Sequence, residues 1–196
     1  MSVSQRNQHG LQPARQRQEG LTVIELMVVL AVTAIMTTII ISSLNSATQI
    51  YRLNGAALRI AGDIRYARSL SVGNSGIYGV HWGGDPNEMS PPGPSYYRLE
   101  KNTGTTCSWP AVADTVNSNA NVITNWSDLS VEFPGITIAS IVDNASNVHG
   151  GAAFDSWGAS SNPCTGVTYP VTITVTNTSG VTKTIEVRSA GRVKSL

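Results

Sequence analysis

Charge is scarce in this chain. Asp, Glu, Lys and Arg make up 13% of its 196 residues, against about 25% in ordinary soluble proteins. Ser, Thr, Asn and Gly take their place, a composition that suits an extracytoplasmic or surface domain better than a cytosolic enzyme. The formal net charge of +1 excludes a basic field that draws nucleic acid to the whole surface. Histidine occurs three times and cysteine twice, and none stands at metal-ligand spacing. His9 lies in the first twenty residues, apart from His81 and His149. No HExxH pattern or nucleophile-elbow sequence is present. Asp85, Glu88, Asp143 and Asp155 form no EF-hand-type loop, although a calcium site built from separated loops stays open. The expectation is a chain that is not an enzyme and carries no cofactor and no metal.

Against that poverty of charge stands one long apolar run. Residues 1–20 are polar, with Arg6, Arg15 and Arg17 against Glu19, so they carry +2 and leave −1 on the remainder. From Leu21 to Leu44 the chain is apolar with a single charge, Glu25. A helix of about 24 residues rises ~36 Å, enough to cross a ~30 Å hydrocarbon core. Basic residues ahead of the run predict a cytoplasmic leader and an exported carboxyl-terminal domain. A Sec-type signal has a shorter apolar region and is cut after it, so this run is expected to stay in the mature protein. A carboxylate within such a helix costs roughly 2.5–3.5 kcal/mol at mid-bilayer and less near the interface. Keeping it there points to a partner. The bland alternative is a first-turn Glu favoured by the helix dipole.

The junction Gly20-Leu21-Thr22-Val23-Ile24-Glu25 resembles the prepilin signature of type IV pilins and type II secretion pseudopilins. The resemblance implies cleavage after Gly20 by a dedicated prepilin peptidase and N-methylation of the new terminus, Leu21, where the family usually has Phe. It also implies that Glu25 neutralises the methylated terminus of a neighbouring subunit during assembly. The bland reading of Gly20 is an ordinary linker glycine. The physics fits the family role, since opposite charges sharing a low-dielectric site relieve each other's desolvation. The apolar stretch from Leu21 to Leu44 is expected to anchor the subunit in the membrane and then pack against other helices. Many pilins carry a helix-bending proline in this stretch; here the corresponding place reads Ile41-Ser42-Ser43-Leu44.

The helix is expected to continue to about residue 72. Leu53, Ala57, Ile60, Ile64 and Ala67 recur at helical spacing on one stripe, with Arg52, Arg59, Arg65 and Arg68 off it. Gly55 and Gly62 weaken this half by up to about 1 kcal/mol each relative to Ala, and Gly73-Asn74-Ser75-Gly76 ends it. Strands are expected at Ile77–Trp82, Tyr96–Glu100, Ser130–Phe133, Ile136–Val142 and Ala152–Asp155. The alternating Val171–Val175 and the arm Thr184–Arg188 form a hairpin about Asn177–Gly180, packed on the helix stripe. Residues 101–130 read as a long loop containing Cys107. Cys107 and Cys164 fall in the exported part, where a disulfide is expected. It would close a loop of about 58 residues and stabilise by ~4 kcal/mol on the chain-entropy estimate; two unpaired thiols are the alternative. Trp82, Trp109, Trp126 and Trp157 are read as packing residues rather than a sugar platform.

A second match follows in chain order. Arg59-Ile60-Ala61-Gly62-Asp63-Ile64-Arg65-Tyr66-Ala67-Arg68-Ser69, Ala153-Phe154-Asp155-Ser156-Trp157-Gly158, Val171–Val175 and the ending Ile185-Glu186-Val187-Arg188-Ser189-Ala190-Gly191-Arg192-Val193-Lys194 resemble one branch of the superfamily. It joins minor pseudopilin H of type II secretion with the FimT/FimU-type minor pilins. The fold implied is α+β and type IV pilin-like: a long amino-terminal helix packed by its carboxyl half on a mainly antiparallel β domain. The segments are a leader at 1–20, a transmembrane and filament-core helix at 21–44, its amphipathic half at 45–74 and a periplasmic β domain at 75–196. The function implied is a minor subunit of the tip or initiation complex of a type II secretion pseudopilus or type IV pilus. It sits by a single pass in the bacterial inner membrane. Its partners would be other minor and major pilins or pseudopilins, the prepilin peptidase and the inner-membrane assembly platform. The alternative is a pilus-tip binding module that contacts DNA or a surface. Some FimT-type members bind DNA through a Gly-Arg-x-Arg end, and this chain offers Arg188, Arg192 and Lys194. Lys194 keeps the charge but not the planar fork, and the near-neutral mature chain weighs against that reading.

Overall fold

A computed structural model describes residues 22–84, 92–102, 113–147, 149–160 and 167–196, with the side chains of 41–43 left aside. The chain divides into two compact units, Met1–Ser43 and Leu44–Leu196. Helix α1, Val23–Gly73, contributes to both. The elements that follow are β1 (Ile77–Trp82), β2 (Tyr96–Asn102), β3 (Ser127–Asp128), α2 (Leu129–Glu132), β4 (Ile136–Val142), β5 (Gly151–Phe154), β6 (Val171–Asn177), β7 (Thr182–Val187) and β8 (Val193–Ser195).

In the second unit, the α1 stripe is the centre of the core. Leu53, Ala57, Ile60, Ile64 and Ala67 are all buried, joined by Ala56 and Ala61, while Arg52, Arg59, Arg65 and Arg68 are exposed. The helix closes as a Schellman-type end: the Gly76 amide donates to Ser71 O at 3.2 Å. Ser75, at φ 48°, occupies the left-handed position that glycine fills in most such caps.

Two antiparallel sheets share that core, in the orders β3-β2-β1-β5 and β4-β6-β7-β8. Val80, Leu99 and Phe154 from one sheet, and Ile138, Ile173 and Ile185 from the other, belong to one cluster with Leu53, Ile60 and Ile64. The expected hairpin is β6 and β7, with Val171 opposite Val187 and Ile173 opposite Ile185. Val171, Ile173 and Val175 are buried and the intervening threonines half-buried, the mark of a strand with one face on a core. Its turn is fixed by Asn177, whose Oδ1 accepts from Ser179 N at 3.0 Å and Val181 N at 2.9 Å. Asp63 ties the helix to β2, accepting from Tyr97 Oη at 2.6 Å and Arg59 Nε at 3.2 Å. Burial, and then that bond to Asp63, push the Tyr97 phenol well above its ordinary range.

Three expectations need correction. Ser130–Phe133 is not a strand; Leu129–Glu132 forms one helical turn, capped by Asp128 Oδ1 accepting from Ser130 N at 2.8 Å. Four alternating residues are too few to distinguish the two periods, and the Asp cap decides. Residues 101–130 are not all loop: β2 runs on to Asn102, Val122 bridges to Glu100, and β3 pairs with Tyr96 and Tyr97. The carboxyl terminus adds β8, an unforeseen third arm with Val193 opposite Val187.

The outer face of β1 and β2 carries charge that is fully buried. Arg98 Nε and Glu100 Oε1 form an ion pair. His81 Nδ1 stands 3.1 Å from Glu100 Oε2, and Arg98 Nη1 donates to Asp114 O at 2.8 Å. The guanidinium lies 4.3 Å from the centroid of Trp126, a desolvated cation–π contact. Thus Arg98 latches the segment around Asp114 and Trp126 onto the sheet.

The two glycines of the amphipathic half differ. A Cβ on Gly55 would meet Phe133 Cε1 at 2.6 Å, whereas one on Gly62 would meet nothing within 4 Å. Gly62→Ala is therefore expected to stabilise by up to about 1 kcal/mol, and Gly55→Ala to destabilise as the Phe133 ring is displaced. Denaturant unfolding of the two variants side by side measures both signs. Glu100→Ala leaves Arg98 buried without its carboxylate and is expected to cost about 3–5 kcal/mol, in the same assay.

Candidate functional site

The first turn of α1 holds the charge singled out in the sequence. Thr22 caps it: its Oγ1 accepts from Glu25 N at 3.3 Å, and its carbonyl accepts from Leu26 N at 3.2 Å. Thr22-Val23-Ile24-Glu25 has the residue pattern of a capping box, and its Thr22 half is formed. Among the described residues no cation pairs with the Glu25 carboxylate. Gly20, Leu21, Cys107 and Cys164 lie outside the described residues.

Beyond the cap, the described side chains from Val23 to Ile40 are exposed on every side. The stretch is long and apolar enough to cross a membrane, and none of its described residues is buried. Its hydroxyls are turned back onto the helix. Thr33 Oγ1 donates to Val29 O at 2.9 Å, Thr37 Oγ1 to Thr33 O at 2.7 Å and Thr38 Oγ1 to Ile35 O at 2.7 Å. Internal satisfaction of polar groups is what a hydrocarbon environment demands. This surface presents a ring of apolar side chains and one carboxylate near its start.

In the second unit, the basic residues of the carboxyl terminus meet the end of α1. The Gly191 amide donates to Arg188 O at 2.8 Å, and Arg188 N to Arg192 O at 2.9 Å, making the tight turn from β7 into β8. Gly191 has φ +73°, and a Cβ there would fall 1.9 Å from Gly158 O, so no other residue fits without shifting backbone. Arg68 Nε donates to Gly158 O at 2.8 Å and Arg65 Nη2 to Val193 O at 3.4 Å. The structure therefore brings Arg188, Arg192 and Lys194 together on one turn and strand, and adds Arg65 and Arg68. It also adds an acid: Glu186 pairs with Arg188 and faces Lys194 in register.

A third cluster is built on Asp143, whose side chain is fully buried. Oδ1 accepts from Ala145 N at 2.9 Å and Asn147 N at 2.8 Å. Oδ2 accepts from Thr168 Oγ1 at 2.8 Å and Thr168 N at 3.1 Å, and His149 Nε2 stands 3.1 Å away. Burial pushes this carboxyl up, but the His149, Asn147 and Thr168 contacts together outweigh it and hold it well below the usual range. Asp143 organises a loop. Among the described residues no group of three or more His, Cys, Asp or Glu is placed to hold a metal.

The model of the prokaryotic N-terminal methylation motif matches residues 15–41, the stretch that holds Gly20, Leu21 and Glu25. No curated protein matches the chain. Among solved structures the chain is similar to the type IV minor pilin FimU of Pseudomonas aeruginosa, at 15% identity over 76% of this chain and 91% of that one, with a TM-score of 0.45. It is also similar to the minor pseudopilin EpsH from the Type 2 Secretion System of Vibrio cholerae, at 11% identity over 74% and 96%, with a TM-score of 0.46.

The depressed Asp143 carboxyl makes stability depend on acid. As pH falls below about 4 the unfolded chain takes up a proton first, so the contribution present at neutral pH is lost steadily toward lower pH. Thermal melts from pH 6 to 2 should show that loss. Asp143→Ala should melt lower at pH 6 and lose less on acidification.

Proposed function

We propose that this chain is a minor pilin or pseudopilin subunit. It would enter the inner membrane through residues 21–44 with its carboxyl-terminal domain in the periplasm, be cleaved after Gly20 by a prepilin peptidase, and be methylated on Leu21. It then joins the tip or initiation complex of a type II secretion pseudopilus or type IV pilus. Its role is structural rather than enzymatic. Its partners are other minor and major subunits and the inner-membrane assembly platform.

The observation that carries this reading is the methylation motif over residues 15–41 running into a helix whose described side chains from Val23 to Ile40 are apolar for the most part and exposed. Lipid covers it before assembly and neighbouring helices cover it afterwards. Glu25 then has a defined task. A carboxylate in that environment is costly alone, and a methylated, cationic terminus of the next subunit relieves it. Contact with DNA through Arg188, Arg192 and Lys194 is the weaker reading, because Glu186 already engages Arg188 and faces Lys194.

Intact mass and amino-terminal sequencing of the protein from membranes containing the peptidase should give methylated Leu21 as the first residue. The Gly20→Ala variant should stay uncut. An uncut wild-type chain, or a cut beyond Leu44, overturns the reading. Glu25→Ala should be cut normally yet enter filaments poorly. Loss of a buried ion-pair partner costs about 3–5 kcal/mol, and the amount recovered in sheared filaments should fall by about two orders of magnitude or more.

A further inference from the structure

Trp157 is 87% exposed, although a tryptophan that only packs a domain is mostly covered. It does not stand on a loose loop. Asp155 Oδ1 accepts from Trp157 N and Ala159 N, each at 2.9 Å, and Gly158 N donates to Asp155 O at 2.9 Å. The turn is seated on the last turns of α1 through Gly158, which contacts Arg68 and Val72, and on the β7–β8 turn through Gly191. Beside it, an open hollow of about 580 Å³ is lined by Arg65, Arg68, Ser69, Val72 and Gly73. Val72 is itself 53% exposed. Three segments far apart in sequence thus meet at one fixed corner that offers an indole, a valine and guanidinium groups.

We infer that this corner docks an acidic segment of a neighbouring pilin-like subunit, one carrying an apolar side chain for Trp157 and Val72. The inference rests on the reading of this chain as a filament subunit. The charge identifies the occupant. Arg65 and Arg68 line the corner, and each keeps donors beyond those spent on Val193 O and Gly158 O. The nearby acids are committed: Asp155 holds its own turn, and Glu186 pairs with Arg188 and faces Lys194. A long polyanion laid along this edge meets the Glu186 carboxylate, whereas a short segment with two or three carboxylates meets only the arginines. A rigid aromatic anchor ringed by cations loses little entropy on binding, and Trp and Arg are the residues that carry most interface energy.

The test uses the full chain in detergent micelles, wild type beside Trp157→Ala and Arg65→Glu. The exposed position of Trp157 leaves the fold of its variant intact, and matching melts check both. The probe is a fluorescein-labelled dodecapeptide of aspartate, glutamate and serine with one central phenylalanine, followed by anisotropy. A peptide with lysine in place of the acids and a labelled oligo-dT are measured alongside. Each variant is expected to bind the acidic peptide about tenfold more weakly or worse, and wild-type binding should fall as salt rises. Variants that bind like wild type, no binding by wild type, preference for the lysine peptide, or tighter binding of oligo-dT at the same salt each overturn the inference. The amino terminus of the same preparation is sequenced. An uncut chain that still binds the acidic peptide overturns the filament reading and keeps the acid-binding corner. A chain cut after Gly20 whose variants bind like wild type removes the corner and keeps the filament reading.

Discussion

The second unit depends on burial of one stripe of α1. Seven positions between Leu53 and Ala67 lie at 1% exposure or less, and side chains of both sheets gather on them. Four of the seven are alanines and two are isoleucines with complementary bulk, so strands can approach a helix that is narrow at some levels and wide at others. Each large aliphatic side chain placed there is worth roughly 1.5–3 kcal/mol. The polar links follow from that placement rather than cause it. Asp63 sits at the margin of the stripe, and only because the stripe is seated can it receive the Tyr97 hydroxyl. Gly55 belongs to the same geometry, since the Phe133 ring occupies the place of its missing side chain.

Much of this was legible because the pattern was local and long. The helical spacing of Leu53, Ala57, Ile60, Ile64 and Ala67 persists over four turns, and Val171 to Val175 alternates with one face on the core, so each period declares itself. Ile77–Trp82 and Ile136–Val142 were bounded by Gly and Pro and ran to the expected ends. What failed was short or assembled from afar. Leu129–Glu132 has too few residues to show a period, and its Asp128 cap carried the decision. Nothing in Tyr96-Tyr97-Arg98-Leu99-Glu100 reveals that Arg98 and Glu100 are buried, because Asp114 and Trp126, which lie over them, are distant in sequence.

The candidate sites divide in the same way. Gly20, Leu21 and Glu25 stand within six residues and could be read as one motif. The corner around Trp157 needs Arg65 and Arg68 from the helix, Gly158 from one turn and Gly191 from another. Each of these segments was noticed, but sequence carries no distance between them. Lys194 and Arg188 looked like a bare basic end until the register of β7 and β8 set Glu186 between them.

One rule about charge joins the two ends of the argument. Where this chain buries a carboxylate within its own fold, it surrounds it: Glu100 has Arg98 and His81, and Asp143 has backbone amides, Thr168, Asn147 and His149. Both are answered from inside because desolvating an unanswered charge costs more than the rest of a small fold can offset. Glu25 meets the same physics in the apolar stretch without such a ring among the described residues. Among the described residues the other two carboxylates are fully answered, while the one at the head of the exposed apolar helix has no cation beside it. It is this contrast that favours a partner from outside the subunit in the proposed reading. On the proposed reading a cation from a second subunit at the same depth would supply that answer, and it would arrive only when the helices pack.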